Sequence, residues 1–111
     1  EDGRLTLNGI LNQRSQDMLT AGNWNVVQYA ILIMMLAKVC DMYPGELVHV
    51  IADCHIYDRH IPIVKELIER PTFDAPSVWL DKVDSFYDFK VDNIHIDNYQ
   101  HNSQIKFPVA I

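Results

Sequence analysis

Apolar positions change their period several times along this chain, and each change predicts an element. Leu5, Leu7, Ile10 and Leu11 alternate imperfectly and predict a strand. Asn8-Gly9 interrupts it and predicts a β-bulge or a tight turn. The polar run Gln13-Arg14-Ser15-Gln16-Asp17 follows, and the residues over 18–23 read as a loop in which Asn23 is placed to cap a helix. Residues 24–41 then carry apolar side chains on nearly every side, from Val26 and Val27 through Ile31, Ile33 and Leu36 to Val39. That pattern predicts a long helix buried in a core, covered by a sheet, by other parts of a larger protein or by a second subunit. Its methionines read as core filler.

Pro44-Gly45 predicts a turn, and the β-branched run Leu47 to Ala52, extended through Asp53 to Tyr57, predicts a buried strand. Residues 59–70 repeat at helical spacing through Ile61, Val64, Leu67 and Ile68, with Pro62 in the first turn and Pro71 as the stop. Val78-Trp79-Leu80 predicts a short strand, and 93–99 alternates as a second one. The apolar ending, Phe107 to Ile111, is expected to pack against something. These strands and helices are expected to form one small domain around the long buried helix.

Composition sharpens this picture. The chain has 111 residues, 49% hydrophobic and 22% charged, which is a globular balance. Nine Lys/Arg against 15 Asp/Glu leave a net charge of −6 and no basic run to neutralise phosphates in series. A nucleic-acid surface is therefore not expected, although one or two arginines still suit a small anionic ligand. The apolar run from Tyr29 to Ala37 is shorter than the roughly 20 residues a bilayer span needs. Two cysteines without a CxxC spacing point to a reduced, cytoplasmic setting. The start at Glu1, without methionine or signal pattern, suggests a fragment or a processed chain.

Three kinds of chemistry compete. His49, Asp53, Cys54, His55 and His60 cluster in sequence, but strand alternation separates Cys54 from His55 and the spacing fits no usual zinc pattern. No metal is expected. Cys40 and Cys54 read as inert core thiols rather than nucleophiles. A polar ligand site is the more coherent choice. Arg14 and Ser15 suit a phosphate, His55 and Tyr57 share one strand face and suit hydroxyls, and Asn25 offers an amide to a base. Taken singly, each of these reads as a surface residue or a satisfied buried polar group.

The motifs that carry these residues, in order, resemble the C-terminal part of thymidylate synthase. Gln13-Arg14-Ser15-x-Asp17 resembles the family's QRSxD, and Trp24-Asn25-x-x-x-Tyr29-Ala30 its FNxxxYA. Pro44 to His49 resembles PGELVH, and Asp53-x-His55-Ile56-Tyr57 resembles the segment GDxHIY. Tyr87-Asp88-Phe89-Lys90 and the ending Pro108-Val109-Ala110-Ile111 are similar to the DDFK segment and the family C-terminus.

The resemblance implies an α+β fold, a mixed β-sheet with a long buried helix as part of a thymidylate synthase fold, and a homodimer joined sheet to sheet. It implies conversion of dUMP to dTMP with 5,10-methylenetetrahydrofolate as methylene and hydride donor. Carried over by position, Arg14 and Ser15 would bind the phosphate, Asn25 the uracil edge, and His55 and Tyr57 the ribose hydroxyl. Asp17 would contact the folate pterin, and Ala110-Ile111 would close over the folate. Tyr29, one turn along the helix, would fix the Asn25 amide.

The sequence departs from the family pattern in places. Ala52 stands for the glycine before Asp53, and Arg59 for the asparagine before His60. Thr20-Ala21-Gly22-Asn23 replaces Leu-Gly-Leu-Pro, and Asn12 replaces a tyrosine. Neither Cys40 nor Cys54 matches the family's Pro-Cys-His nucleophile, which would lie upstream, so the 111 residues alone are expected to be inactive. A pyrimidine nucleotide hydroxymethylase segment and a non-catalytic nucleotide-binding or dimerisation module are the alternatives.

Overall fold

The computed structural model describes residues 2–109, so Ala110 and Ile111 lie outside the described residues. The fold is α+β, in the order strand, helix, strand, helix, then two short strands. β1 (Thr6–Asp17) and β2 (Tyr43–His55) pair in parallel, with α1 (Gly22–Val39) as the crossover between them. Parallel strands need such a connection, because a tight turn cannot return the chain to its starting edge. The register shifts between Leu7 and Gly9, so Asn8-Gly9 is the bulge alternative and not a turn.

β1 runs six residues past Leu11, and the polar pentapeptide is strand rather than linker. The physical reason is the partner. β2 supplies ladder bonds as far as Asp17↔His55, so the backbone of 12–17 is paired whatever its side chains. Pro44-Gly45 likewise lies inside β2 and makes no turn. Proline is tolerated there because it falls at the strand's start. The reversal is made at the end of α1. Asp41 adopts φ 53°, and the Met42 N–H donates to the Ala37 carbonyl at 2.8 Å. This closes the last helical turn in the manner of a Schellman motif. Arg4 holds that corner from outside, with Nη2 3.2 Å from Asp41 and its guanidinium over the Tyr43 ring.

α1 begins at Gly22 with Ala21 before it, and no side chain caps it, so Asn23 is helical rather than the cap. The helix lies against the sheet, with Ile33 over Gly9, yet only Gly22 and Ala37 on it are buried. Val27, Leu32 and Leu36 remain exposed. Cys40 and Cys54 are exposed as well, which corrects their reading as core thiols. Cys40 falls beyond the last turn of the helix, and β2 is covered on one face only, so neither position is enclosed.

A 3-10 turn (Asp58–His60) leads into α2 (Ile61–Glu69), with Pro at its start as expected. β3 (Ser77–Leu80) and β4 (Ile94–Asp97) pair antiparallel in a second small sheet. The sheet structure is therefore two two-stranded sheets, one parallel and one antiparallel. Trp79 stacks on His95 at 5.3 Å, and His95 Nε2 lies 3.0 Å from Asp81 Oδ2.

Among the described residues the buried apolar side chains are Ala37 and Leu80. The radius of gyration, 16.8 Å, exceeds the roughly 13 Å expected of a self-contained domain of this length. Apolar surface is left uncovered on both α1 and the outer sheet face.

Two predictions follow from this packing. A Cβ at Gly45 would collide with the Asn8 side chain, whose Oδ1 accepts from the Glu46 N–H at 2.8 Å. Gly45→Ala is expected to cost about 1–2 kcal/mol, read as a lowered urea midpoint; an unchanged midpoint would show that the bulge does not depend on Asn8. The second concerns Asp81. His95, then Asn93, hold its carboxyl below the ordinary 3.8. Its stabilising contribution is thus complete above that ordinary value and is lost as pH falls through the lowered one. Asp81→Asn should destabilise at about pH 6, with the gap to wild type closing toward about pH 3. A gap independent of pH would exclude the ionic contribution.

Candidate functional site

Strand direction collects the polar candidates at one end of the parallel sheet. Ser15 pairs beside Asp53 and Asp17 beside His55, at the carboxyl ends of β1 and β2. Asn25 sits in the first turn of α1, which leaves β1 through the loop after Asp17. The carboxyl ends of parallel strands, with the start of the following helix, are where such units bind ligands.

Arg14 is exposed, and strand alternation turns it to the opposite face from Ser15. It lines a cavity of about 300 Å³ with Asn12, Val50 and Ala52, and another of about 290 Å³ with Leu11, Asn25, Gln28 and Tyr29. The structure thus brings Arg14 and Asn25 to one cavity and leaves Ser15, His55 and Tyr57 outside its lining. The Ser15 carbonyl accepts from Gln13 Nε2 at 2.8 Å, and Gln13 Oε1 meets His49 Nε2 at 2.8 Å, a strap across the two strands.

His55 is half-buried, with Nδ1 3.3 Å from both the carbonyl and the carboxylate of Asp53. The Tyr57 ring meets it edge to face at 5.3 Å. They are neighbours as expected, but Tyr57 has left the strand, which ends at His55. The 3-10 turn at Asp58–His60 draws the chain aside there.

Asp17 accepts a hydrogen bond from the Thr20 N–H at 3.3 Å. Burial alone would raise its pKa, but Thr20, with the rings of His60 and His55, outweighs this and holds the carboxyl below the ordinary 3.8. It stays ionised and points an acceptor toward the loop before α1. That loop, with Trp24 and the segment from Gln104 to Val109, lines a cavity of about 560 Å³.

Gln16 was not legible in the sequence. It is almost fully buried, and its Oε1 accepts from Asn25 Nδ2 at 3.2 Å. Gln16, and not Tyr29, therefore orients the Asn25 amide. With one Nδ2 hydrogen held by Gln16, Asn25 offers Oδ1 as an acceptor and its second hydrogen as a donor. A polar residue inside QRSxD reads as surface, and its place two residues after the exposed Arg14 on the same strand gives no signal for burial. Thr20 was missed for a similar reason, as one residue of an apparent loop.

Among the described residues no group of three or more His, Cys, Asp or Glu side chains is placed to hold a metal ion. A double-mutant cycle with Gln16→Met and Asn25→Ala should give a coupling of about 0.5–1.5 kcal/mol in urea unfolding. A coupling near zero would remove Gln16 as the orienting group.

The model of the family described as thymidylate synthase matches residues 2–111. Thymidylate synthase of Bacillus mojavensis is 39% identical over 112 residues, covering 100% of this chain and 39% of its own length. Thymidylate synthase 1 of Bacillus subtilis strain 168 is 41% identical over 99 residues, covering 88% of this chain and 36% of its own. The solved structure of thermostable thymidylate synthase A from Bacillus subtilis superposes with a TM-score of 0.89 at 39% identity, covering 100% of this chain and 40% of that one. The chain spans about two fifths of the length of these relatives. A strand–helix–strand unit bearing the QRSxD pattern at the carboxyl end of its first strand, matched over residues 2–111 by sequence and throughout by structure, places the chain in the thymidylate synthase family.

Proposed function

We propose that these 111 residues form the C-terminal portion of a thymidylate synthase domain that methylates dUMP to dTMP, with 5,10-methylenetetrahydrofolate as methylene and hydride donor. The observation that carries this is the meeting of Arg14 and Asn25 at one cavity beside the carboxyl ends of two parallel strands, where Ser15, Asp17 and His55 also lie. Arg14 offers a planar two-point grip to a phosphate dianion. Asn25, oriented by Gln16, offers the acceptor for uracil N3–H and the donor for O4. His55 and Tyr57 supply donors and acceptors to the ribose hydroxyl. Asp17 is the anionic partner for the pterin, beside the cavity of about 560 Å³ that would take the folate.

The role assigned to Ala110 and Ile111 falls outside the described residues. The nucleophile is a cysteine other than Cys40 and Cys54, so the 111 residues alone are inactive, since covalent attack needs a thiolate placed at the ring. No metal takes part, and neither nucleic acid nor membrane is a partner. The uncovered outer face of the sheet, with Ile10, Val48 and Val50 exposed, supports a homodimer joined through it. The protein would work in the cytoplasm; no helix among the described residues is long and apolar enough to cross a membrane.

The test is a product assay on the full-length protein with dUMP and methylenetetrahydrofolate. Formation of dTMP supports the reading. A hydroxymethylated nucleotide would place the protein with the hydroxymethylases, and no product would leave a binding module. Arg14→Lys should weaken dUMP binding more than folate binding by calorimetry, and equal losses would make Arg14 a general structural residue. Asn25→Asp should narrow or reverse the preference for dUMP over dCMP, read as the ratio of kcat/KM values. The amide is worth about 1–3 kcal/mol per mispaired group, or roughly fivefold to 150-fold, and an unaltered ratio would remove Asn25 from the site.

A further inference from the structure

The segment from Asn98 to Val109 has no helix or strand. Among the described residues no backbone–backbone hydrogen bond ties Gln100 to Val109. What holds it is side-chain bonds: Asn102 Nδ2 donates to the Pro71 carbonyl at 3.1 Å, and side chains from the corner built by the 3-10 turn and α2 reach its carbonyls. Arg70 Nη1 donates to the Ser103 carbonyl at 2.6 Å, and His60 Nε2 donates to the Pro108 carbonyl at 2.9 Å.

His60 is the unusual member. Its side chain is fully buried, which is rare for histidine unless it is partnered. A carbonyl only accepts, so Nε2 carries a hydrogen, while Nδ1 has no partner among the described residues. Its ring packs edge to face on Phe107 at 5.0 Å and on Tyr57 at 6.0 Å. One side chain thus touches both the tail and a candidate ribose-binding ring. The 3-10 turn places it there, its own N–H bonding the Tyr57 carbonyl at 2.8 Å.

We propose that His60 is a positioning residue that anchors the carboxy-terminal segment at Pro108 and thereby seats Phe107 and Val109 along the cavity they line with Trp24. The anchor stands on this geometry; that the cavity takes a reduced folate rests on the function proposed above. Below Pro108 the segment is held at Ser103 by Arg70, so His60 is the last tie described before the chain end.

Limited trypsin digestion of the full-length protein reads the anchor, because Lys106 is an exposed cleavage point within the anchored segment and Lys38 lies in α1. His60→Gln keeps an amide donor at about the reach of Nε2, whereas the shorter side chain of His60→Asn does not. Cleavage after Lys106 should be at least about tenfold faster in His60→Asn than in wild type, a change matching the loss of one bond to a buried group. His60→Gln should restore it to near the wild-type rate, and cleavage after Lys38 should be the same in all three. An unchanged rate at Lys106 in His60→Asn, equal acceleration in the Gln variant, or acceleration at Lys38 in step with Lys106 would each overturn the proposal. Turnover plays no part in the readout, so failure of the catalytic reading would leave this result standing.

Discussion

The parallel ladder between β1 and β2 constrains everything around it. Two parallel strands start at the same edge, so the chain must travel back before the second begins. Here α1 makes that return, and its 18 residues lie over one face of the sheet. The geometry then fixes chemistry: both strands end together, and α1 starts beside that end. Ser15 and Asp17 from β1, His55 from β2 and Asn25 from α1 lie at one end because the strands are parallel, while Arg14 turns to the opposite strand face. An antiparallel pairing would have sent Asp17 and His55 to opposite ends.

Polar side chains at that end are held by other groups of the protein. Gln16 holds Asn25, Thr20 holds Asp17, Asp53 holds His55, and Gln13 reaches His49 across the strands. Each bond is modest, about 1 kcal/mol net, but an unpaired buried partner would cost more. The consequence is orientation. An amide free to flip would read uracil and cytosine alike, whereas one held by Gln16 presents a single donor–acceptor order.

Stability is distributed less evenly than chemistry. With Ala37 and Leu80 as the buried apolar residues described, the hydrophobic gain within these residues is small. Apolar side chains on α1 and on the outer sheet face are exposed, and a surface of that kind is characteristic of an interface. The C-terminal segment is held through side-chain bonds to its carbonyls, so its position depends on single residues such as Arg70 and His60.

The sequence by itself determined what local patterning can determine. Hydrophobic period placed α1, β2 and α2 close to their observed positions, and Pro62 and Pro71 marked the ends of α2, because helix and strand periods are written in neighbouring residues. The ordered motifs around Arg14, Asn25 and His55 pointed to the family. Tertiary structure decided the rest. Residues 12–17 became strand because β2 paired with them, against their polar pattern. Pro44-Gly45 became strand for the same reason. Cys40 and Cys54 came out exposed because burial depends on what packs above a position, which no local pattern records. Gln16 and His60 looked like ordinary polar residues, and only the approach of α1 and of the Phe107-Pro108 segment made each one a buried hydrogen-bonding group. Contacts across 9 and 48 positions of sequence are invisible to a reading of neighbours.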